Sequence, residues 1–229
     1  MNKQGIKRIL IICGILILPC VFYLWLITGK NKYATLDIFG PKEIATTLTN
    51  GVPDTIYHTV GEFSLTDQFG NTVTNKTFDN KIYVAEFFFA TCKTICPKMN
   101  LELTRVQEKF ENNQDVLMIS HTVNPEHDSV SVLNAYSKKY MAKQNKWFFV
   151  TGDKKQIYDL ARNSYFITAM QGDGGPDDFI HSEKLVLIDK EKRIRGFYDG
   201  TDQSDVDKLI DDIDLLKLEY RDKKLTIDH

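Results

Sequence analysis

The apolar positions fall into one long uncharged opening run followed by an alternation of strand-like and helix-like rhythms. From Ile9 to Ile27 no side chain is charged, a run about long enough to cross the roughly 30 Å hydrocarbon core of a bilayer as a helix. Tyr23 and Trp25 near its far end are the amphipathic aromatics expected at a headgroup interface, and Pro19 is tolerable there as a kink. Residues 30–56 are weakly patterned, broken by Gly40-Pro41 and Gly51-Val-Pro53, and read as a linker ending in a short extended arm. Phe63 and Leu65 then alternate with polar neighbours, and Asp67-Gln-Phe-Gly-Asn71 supplies a turn before Val73, so a small hairpin is expected. Ile82 to Phe89 is nearly continuous in β-formers, as a strand buried on both faces is.

Met99, Leu101, Leu103, Val106 and Phe110 recur at three- and four-residue spacing, which predicts a helix from Pro97 to Phe110. The alternation continues with a strand from Val116 to Val123, a helix from Val130 to Met141, a strand from Trp147 to Val150 and a helix from Lys154 to Tyr165. Beyond the loop Gly172-Asp-Gly-Gly-Pro-Asp-Asp178, Leu185 to Ile188 and Ile194 to Tyr198 predict a closing hairpin, and a last helix runs from Ser204 to Tyr220. This order describes an α/β sandwich with a central mixed sheet over residues 57–220. A cytoplasmic stub and single transmembrane helix (1–29) and the linker (30–56) precede it, and a charged tail (221–229) follows.

Composition narrows the function. A chain of 229 residues with 42% hydrophobic and 26% charged side chains has the make-up of an ordinary folded protein with one good core. Its formal charge of −2 leaves no basic surplus for a nucleic-acid partner. Lys3, Lys7 and Arg8 precede the apolar run and Lys30 and Lys32 follow it, so the charge bias is small. A basic start before one apolar segment nonetheless reads as a signal anchor, with the body outside the cytoplasm on the periplasmic side. A cleaved signal peptide would have a shorter apolar region ending in small residues, and lipidation of Cys20 is opposed by Pro19 in the place where a small residue is usual. Cys13 and Cys20 read as apolar filler.

The remaining two cysteines, Cys92 and Cys96, stand where the core strand ends and a helix begins. A helix start presents unpaired N–H groups and the positive end of the dipole, which favour thiolate over thiol. At this spacing both sulfurs can reach one ion, and with the first cysteine just outside the helix they can instead close a disulfide. Both chemistries stay open. Outside the cytoplasm such a dithiol needs a reductant or a bound metal to stay reduced. A third ligand favours the metal, and His181, between the Gly/Asp-rich loop and the strand Lys184 to Ile188, is the best placed. Two thiolates and an imidazole suit Cu(I) and, with an added ligand, Cu(II); zinc also takes Cys and His.

Phe87-Phe-Phe-Ala-Thr-Cys92-Lys-Thr-Ile-Cys96-Pro97-Lys-Met, then Met118-Ile-Ser-His-Thr-Val-Asn-Pro125-Glu-His-Asp128, then Phe179-Ile-His181 ahead of a strand and Asp189, resemble the Sco/SenC family of membrane-anchored copper proteins. The resemblance covers about residues 57–220. It implies a thioredoxin-like three-layer sandwich, copper held by Cys92, Cys96 and His181, and a part in building the dinuclear copper centre of cytochrome c oxidase. The partners implied are the copper-receiving oxidase subunit and a thiol reductant or another copper carrier. Two departures stand out: Asn124 replaces an Asp usual before the Pro-Glu-x-Asp segment, and Asp177 and Asp178 are the only candidates for an Asp usual shortly before the histidine.

Other residues carry bland and sharp readings side by side. His121, in an apolar strand, and His127, in a polar loop, are extra ligands or satisfied structural histidines. Met99 and Met118 are soft sulfurs or core filler. Glu86, inside an otherwise apolar strand, either faces outward or is a proton or hydrogen-bond partner near the thiols. The competing function is a thiol-disulfide oxidoreductase in which Cys92 and Cys96 form the redox dithiol. Peroxide reduction, with Lys93 or Lys98 as activating cation, is a weaker third.

Overall fold

The computed structural model describes residues 14–23, 35–49, 52–167 and 182–227. The chain divides into two compact units, Met1–Ala34 and Thr35–His229. In the first, residues 14–23 form a helix, α1, with exposed side chains. At 1.5 Å per residue the described part of α1 spans roughly 15 Å. Among the described residues no helix is long and apolar enough to cross a membrane, and the two ends of the predicted span, residues 9–13 and 24–27, lie outside the described residues.

In the second unit, part of the stretch expected as linker is structured. β1 (Lys42–Thr49) and β2 (Val52–Tyr57) pair antiparallel as a two-stranded hairpin. The body is a seven-stranded sheet in the order β4–β3–β7–β6–β5–β8–β9, formed by β3 (Ser64–Asp67), β4 (Thr72–Thr74), β5 (Ile82–Phe88), β6 (Val116–Thr122), β7 (Trp147–Thr151), β8 (Lys184–Ile188) and β9 (Ile194–Asp199). β5, β6 and β7 run parallel, and the two hairpins flanking them pair antiparallel, which makes the sheet mixed as expected.

The parallel strands are buried along their whole length because helices cover both faces. α2 (Ile95–Lys109), α3 (Val130–Lys139) and α5 (Gln203–Ile227) pack Met99, Leu103, Leu133, Val206, Leu209 and Ile213 onto the side that carries Val84 and Phe88. α4 (Lys154–Asp159), continued by a π turn over Leu160–Ser164, covers the side that carries Tyr83, Ala85 and Phe87. Successive residues of β5 therefore face opposite layers. The crossover from α2 to β6 is fixed by Lys146, whose buried Nζ donates to the carbonyls of Phe110, Asn113 and Val116 at 2.6, 2.7 and 2.6 Å.

A buried ion network ties residues 36–37 to the last hairpin and helix. Arg195 donates to Leu36 O at 2.7 Å, Asp37 O at 3.1 Å, Asp189 Oδ2 at 3.1 Å and Glu219 Oε2 at 2.9 Å, and Glu219 in turn accepts the Leu36 N–H at 2.8 Å. Removing one member of such a set strands a buried charge. Arg195→Ala is therefore expected to cost about 3 kcal/mol in urea unfolding; a loss under about 0.5 kcal/mol, the scale of an ordinary surface change, would show that the network is energetically neutral.

Candidate dithiol site

β5 ends at Phe88, and the chain turns through residues 89–94 into α2, whose second residue is Cys96. The turn is closed by the Cys92 N–H donating to Phe89 O at 3.1 Å. The N-cap residue of α2, Thr94, makes no side-chain cap bond, and the first turn holds no acidic residue. Unpaired amides at a helix start draw in an acceptor. Cys92 supplies it: its thiolate is favoured by hydrogen bonds from the main-chain N–H groups of Cys96 and Thr94, by the Cys96 side chain, and by Thr94 Oγ1 at 3.8 Å.

These bonds separate the two sulfurs chemically. Burial pushes the Cys92 thiol up, but the hydrogen bonds outweigh it and leave Cys92 below the ordinary thiol value. Burial pushes Cys96 well up, Cys92 and Glu86 add to the rise, and only the Phe89 main chain opposes it. Cys92 and Cys96 are 7% and 2% exposed and are not joined by a disulfide. The arrangement makes Cys92 the more readily ionised, and so the more nucleophilic, of the two sulfurs and leaves a protonated thiol behind it. It also gives two soft donors on one side of a metal, provided both deprotonate on binding.

The third expected ligand, His181, lies outside the described residues, as do Asp177 and Asp178. Among the described residues no group of three or more His, Cys, Asp or Glu can hold a metal ion. His121 is removed as a ligand for this pair. It is fully buried on the face opposite the thiols, stacked on Phe87 at 4.9 Å between ring centroids and flanked by Phe63 and Tyr165. His127, with its side chain 52% exposed, places Nδ1 2.9 Å from Asp128 Oδ1. Met99 and Met118 are fully buried in the apolar layer, as core filler.

Glu86 corrects one reading. It does not face outward; it is fully buried on the α2 side of β5. One oxygen accepts from Ser120 Oγ at 2.6 Å, and Ser120 Oγ accepts from Trp147 Nε1 at 2.8 Å. The other oxygen has no hydrogen-bond partner among the described residues. Burial raises its pKa to about 8, and only the Ser120 bond opposes the rise. A carboxyl so placed is neutral at pH 7, the form that costs least beside the buried Cys96.

Sequence reasoning missed the part played by Asp128, which is fully buried. Its Oδ2 accepts from the Ala90 N–H at 3.0 Å and from Thr122 Oγ1. The Pro-Glu-His-Asp string was visible; what it touches depends on where β6 ends beside the cysteine turn. Asn124 builds the turn before Asp128 with its main chain, its carbonyl accepting from the N–H groups of His127 and Asp128 at 3.1 and 2.9 Å. That contact does not depend on whether Asn or Asp stands there.

The comparisons with known proteins agree with this architecture. The SCO1/SenC family model matches residues 53–216. A SCO2-like protein of Rickettsia typhi is 30% identical over 203 residues, covering 86% of this chain and 92% of that one. The chain belongs to the SCO1/SenC family. Among solved structures, BsSco, a member of the Sco family of cytochrome c oxidase assembly proteins in which a disulfide switch was identified, is 28% identical, with TM-score 0.61 over 69% of this chain and 93% of that one. Arabidopsis thaliana ScoI, solved with copper bound, is 30% identical, with TM-score 0.54 over 67% and 94% of the two chains.

Proposed function

We propose that this chain is a membrane-anchored copper-binding assembly factor for the dinuclear copper centre of cytochrome c oxidase, taking copper as cargo on Cys92, Cys96 and His181. The observation that carries the reading is the sulfur pair at a helix start whose N-cap residue makes no side-chain cap bond, one thiol lowered and the other held protonated, in a chain of the SCO1/SenC family. A relative solved with copper bound supports the choice of metal, and thiolate with imidazole is a donor set that copper favours. The apolar run Ile9 to Ile27 would hold the body at the outer face of the membrane, where the oxidase subunit that receives copper is accessible.

Copper titration of the reduced full-length chain tests this. About one copper per chain is expected, and His181→Ala is expected to weaken binding at least about tenfold, the loss typical of a removed metal-site partner. Unchanged affinity in His181→Ala would remove that ligand, and zinc in place of copper after metal-replete growth would overturn the choice of cargo.

A second reading, a thiol-disulfide oxidoreductase acting on partner cysteines, is favoured by the split between the two thiols and by the disulfide switch identified in BsSco. In it the Cys92 thiolate attacks the partner's disulfide, and Cys96 then releases the reduced partner as Cys92–Cys96 closes. Turnover that survives His181→Ala and stops in Cys92→Ser would establish this activity. The two roles are compatible, because a partner's cysteines must be reduced before they accept a metal.

A further inference from the structure

Beyond the three expected ligands, the buried Asp128 carboxylate is the group best connected to the cysteine turn. Its Oδ2 takes the Ala90 N–H at 3.0 Å, and Thr122 Oγ1 donates to the same oxygen. Thr122 Oγ1 in turn accepts the Asn124 N–H at 3.0 Å. One carboxylate thereby joins three pieces of chain: the turn after β5, the end of β6, and the loop before α3.

Ala90 is also where the sulfurs are set. The preceding residue, Phe89, supplies the carbonyl that closes the Cys92 turn and the main-chain hydrogen bond that favours the Cys96 thiolate. The Val123 N–H, donating to Phe88 O at 2.8 Å, fixes the start of the same segment from the β6 side. A shift of residue 90 therefore moves together the turn that carries the Cys92 main chain and the main-chain group bonded to the Cys96 sulfur. Charge-assisted bonds to a buried carboxylate are about twice as strong as neutral ones, so Asp128 is a stiff anchor for this turn.

We propose that Asp128 is a positioning residue of the dithiol site, holding the 89–91 turn through the Ala90 N–H so that the reduced pair is favoured over the disulfide. The inference rests on the reading of Cys92 and Cys96 as the working pair. His127 sits on the other carboxylate oxygen and is half-exposed, so it is not part of the tie to Ala90.

The test is the thiol-disulfide equilibrium of the full-length chain against glutathione, in which one glutathione disulfide is reduced to two thiols as Cys92–Cys96 forms. Asp128→Ala is expected to move this equilibrium about tenfold toward the disulfide, equivalent to about 30 mV. Asp128→Asn keeps an oxygen for the Ala90 N–H and is expected to recover most of the shift; His127→Ala is expected to leave it unmoved. A role confined to holding the fold would lower the unfolding midpoint without moving the equilibrium of the folded chain. If Asp128→Ala does not fold, Thr122→Val, which removes the second donor to the same oxygen, is expected to give a shift of about threefold in the same direction, under 1 kcal/mol. No shift in a folded variant, or a shift toward the dithiol, overturns the positioning role while leaving the site itself standing. A wild-type chain that forms no disulfide against glutathione overturns the redox reading and this inference together.

Discussion

Glu86→Gln is expected to make the protein more stable above pH 8 and to leave it nearly unchanged below pH 4.5. Burial raises the Glu86 carboxyl from its ordinary 4.5 to about 8 in the folded chain. Between those values the unfolded chain has released the proton and the folded chain still holds it, so ν_U is below ν_N and stability falls as pH rises. The favourable contribution is complete below pH 4.5 and is lost as pH passes through about 8. At 1.36 kcal/mol per unit the loss is about 3 to 5 kcal/mol, a large share of a typical domain's stability. Gln keeps a carbonyl for the Ser120 hydroxyl and cannot ionise, so it removes the dependence while filling the same space. Urea unfolding of both chains from pH 4 to 9 checks this: the difference between variant and wild type should open steadily across the window. A constant difference would mean that the folded chain does not hold the proton.

The same carboxyl bears on the site. A neutral Glu86 lets Cys96 lose its proton to a metal or a disulfide without a second buried charge beside it, whereas an ionised Glu86 opposes that loss.

Much of this architecture is legible along the chain because the signals are local. Ile82 to Phe89 reads as a strand buried on both faces; the strand that forms ends one residue earlier, at Phe88, and all seven of its residues are buried. The helix after the cysteines is legible from Met99, Leu103 and Val106, although it begins at Ile95, ahead of the expected Pro97. Proline is accepted in a first turn because its missing N–H would have no intrahelical partner there. The hairpin of β1 and β2 is not legible, since Gly40-Pro41 and Gly51-Val-Pro53 have the composition of a linker. Glu86 and Asp128 are illegible for a different reason. Their partners, Ser120 and Ala90, are 34 and 38 residues away, and strand register rather than any local pattern brings them together. The cysteine pair is legible from spacing, but the inequality of its two thiols is not, because it depends on which main-chain amides point at which sulfur.

His121 has the opposite pH signature on the other face of the sheet. Its ring is fully buried among Phe63, Phe87 and Tyr165, and neither nitrogen has a hydrogen-bond partner among the described residues. Burial lowers its pKa from 6.5 to about 3. Below pH 6.5 the unfolded chain gains a proton that the folded chain refuses, so ν_U exceeds ν_N and stability falls with falling pH until about pH 3. His121→Phe replaces the ring with one of similar shape that has nothing to satisfy. At pH 7 the variant is expected to be about 1 to 3 kcal/mol more stable, the cost of a buried polar group left unpaired. At pH 4 the advantage should grow by about 3 kcal/mol as protonation of the unfolded wild type adds to it. Urea unfolding at the two pH values separates the terms: an advantage that does not grow on acidification would mean that the folded chain protonates the ring through some opening of the aromatic cage. Since Glu86 costs stability on the alkaline side and His121 on the acidic side, the wild type should be least burdened by this pair between pH 4.5 and 6.5, where the two windows overlap. Glu86→Gln should move the optimum upward and His121→Phe should move it downward.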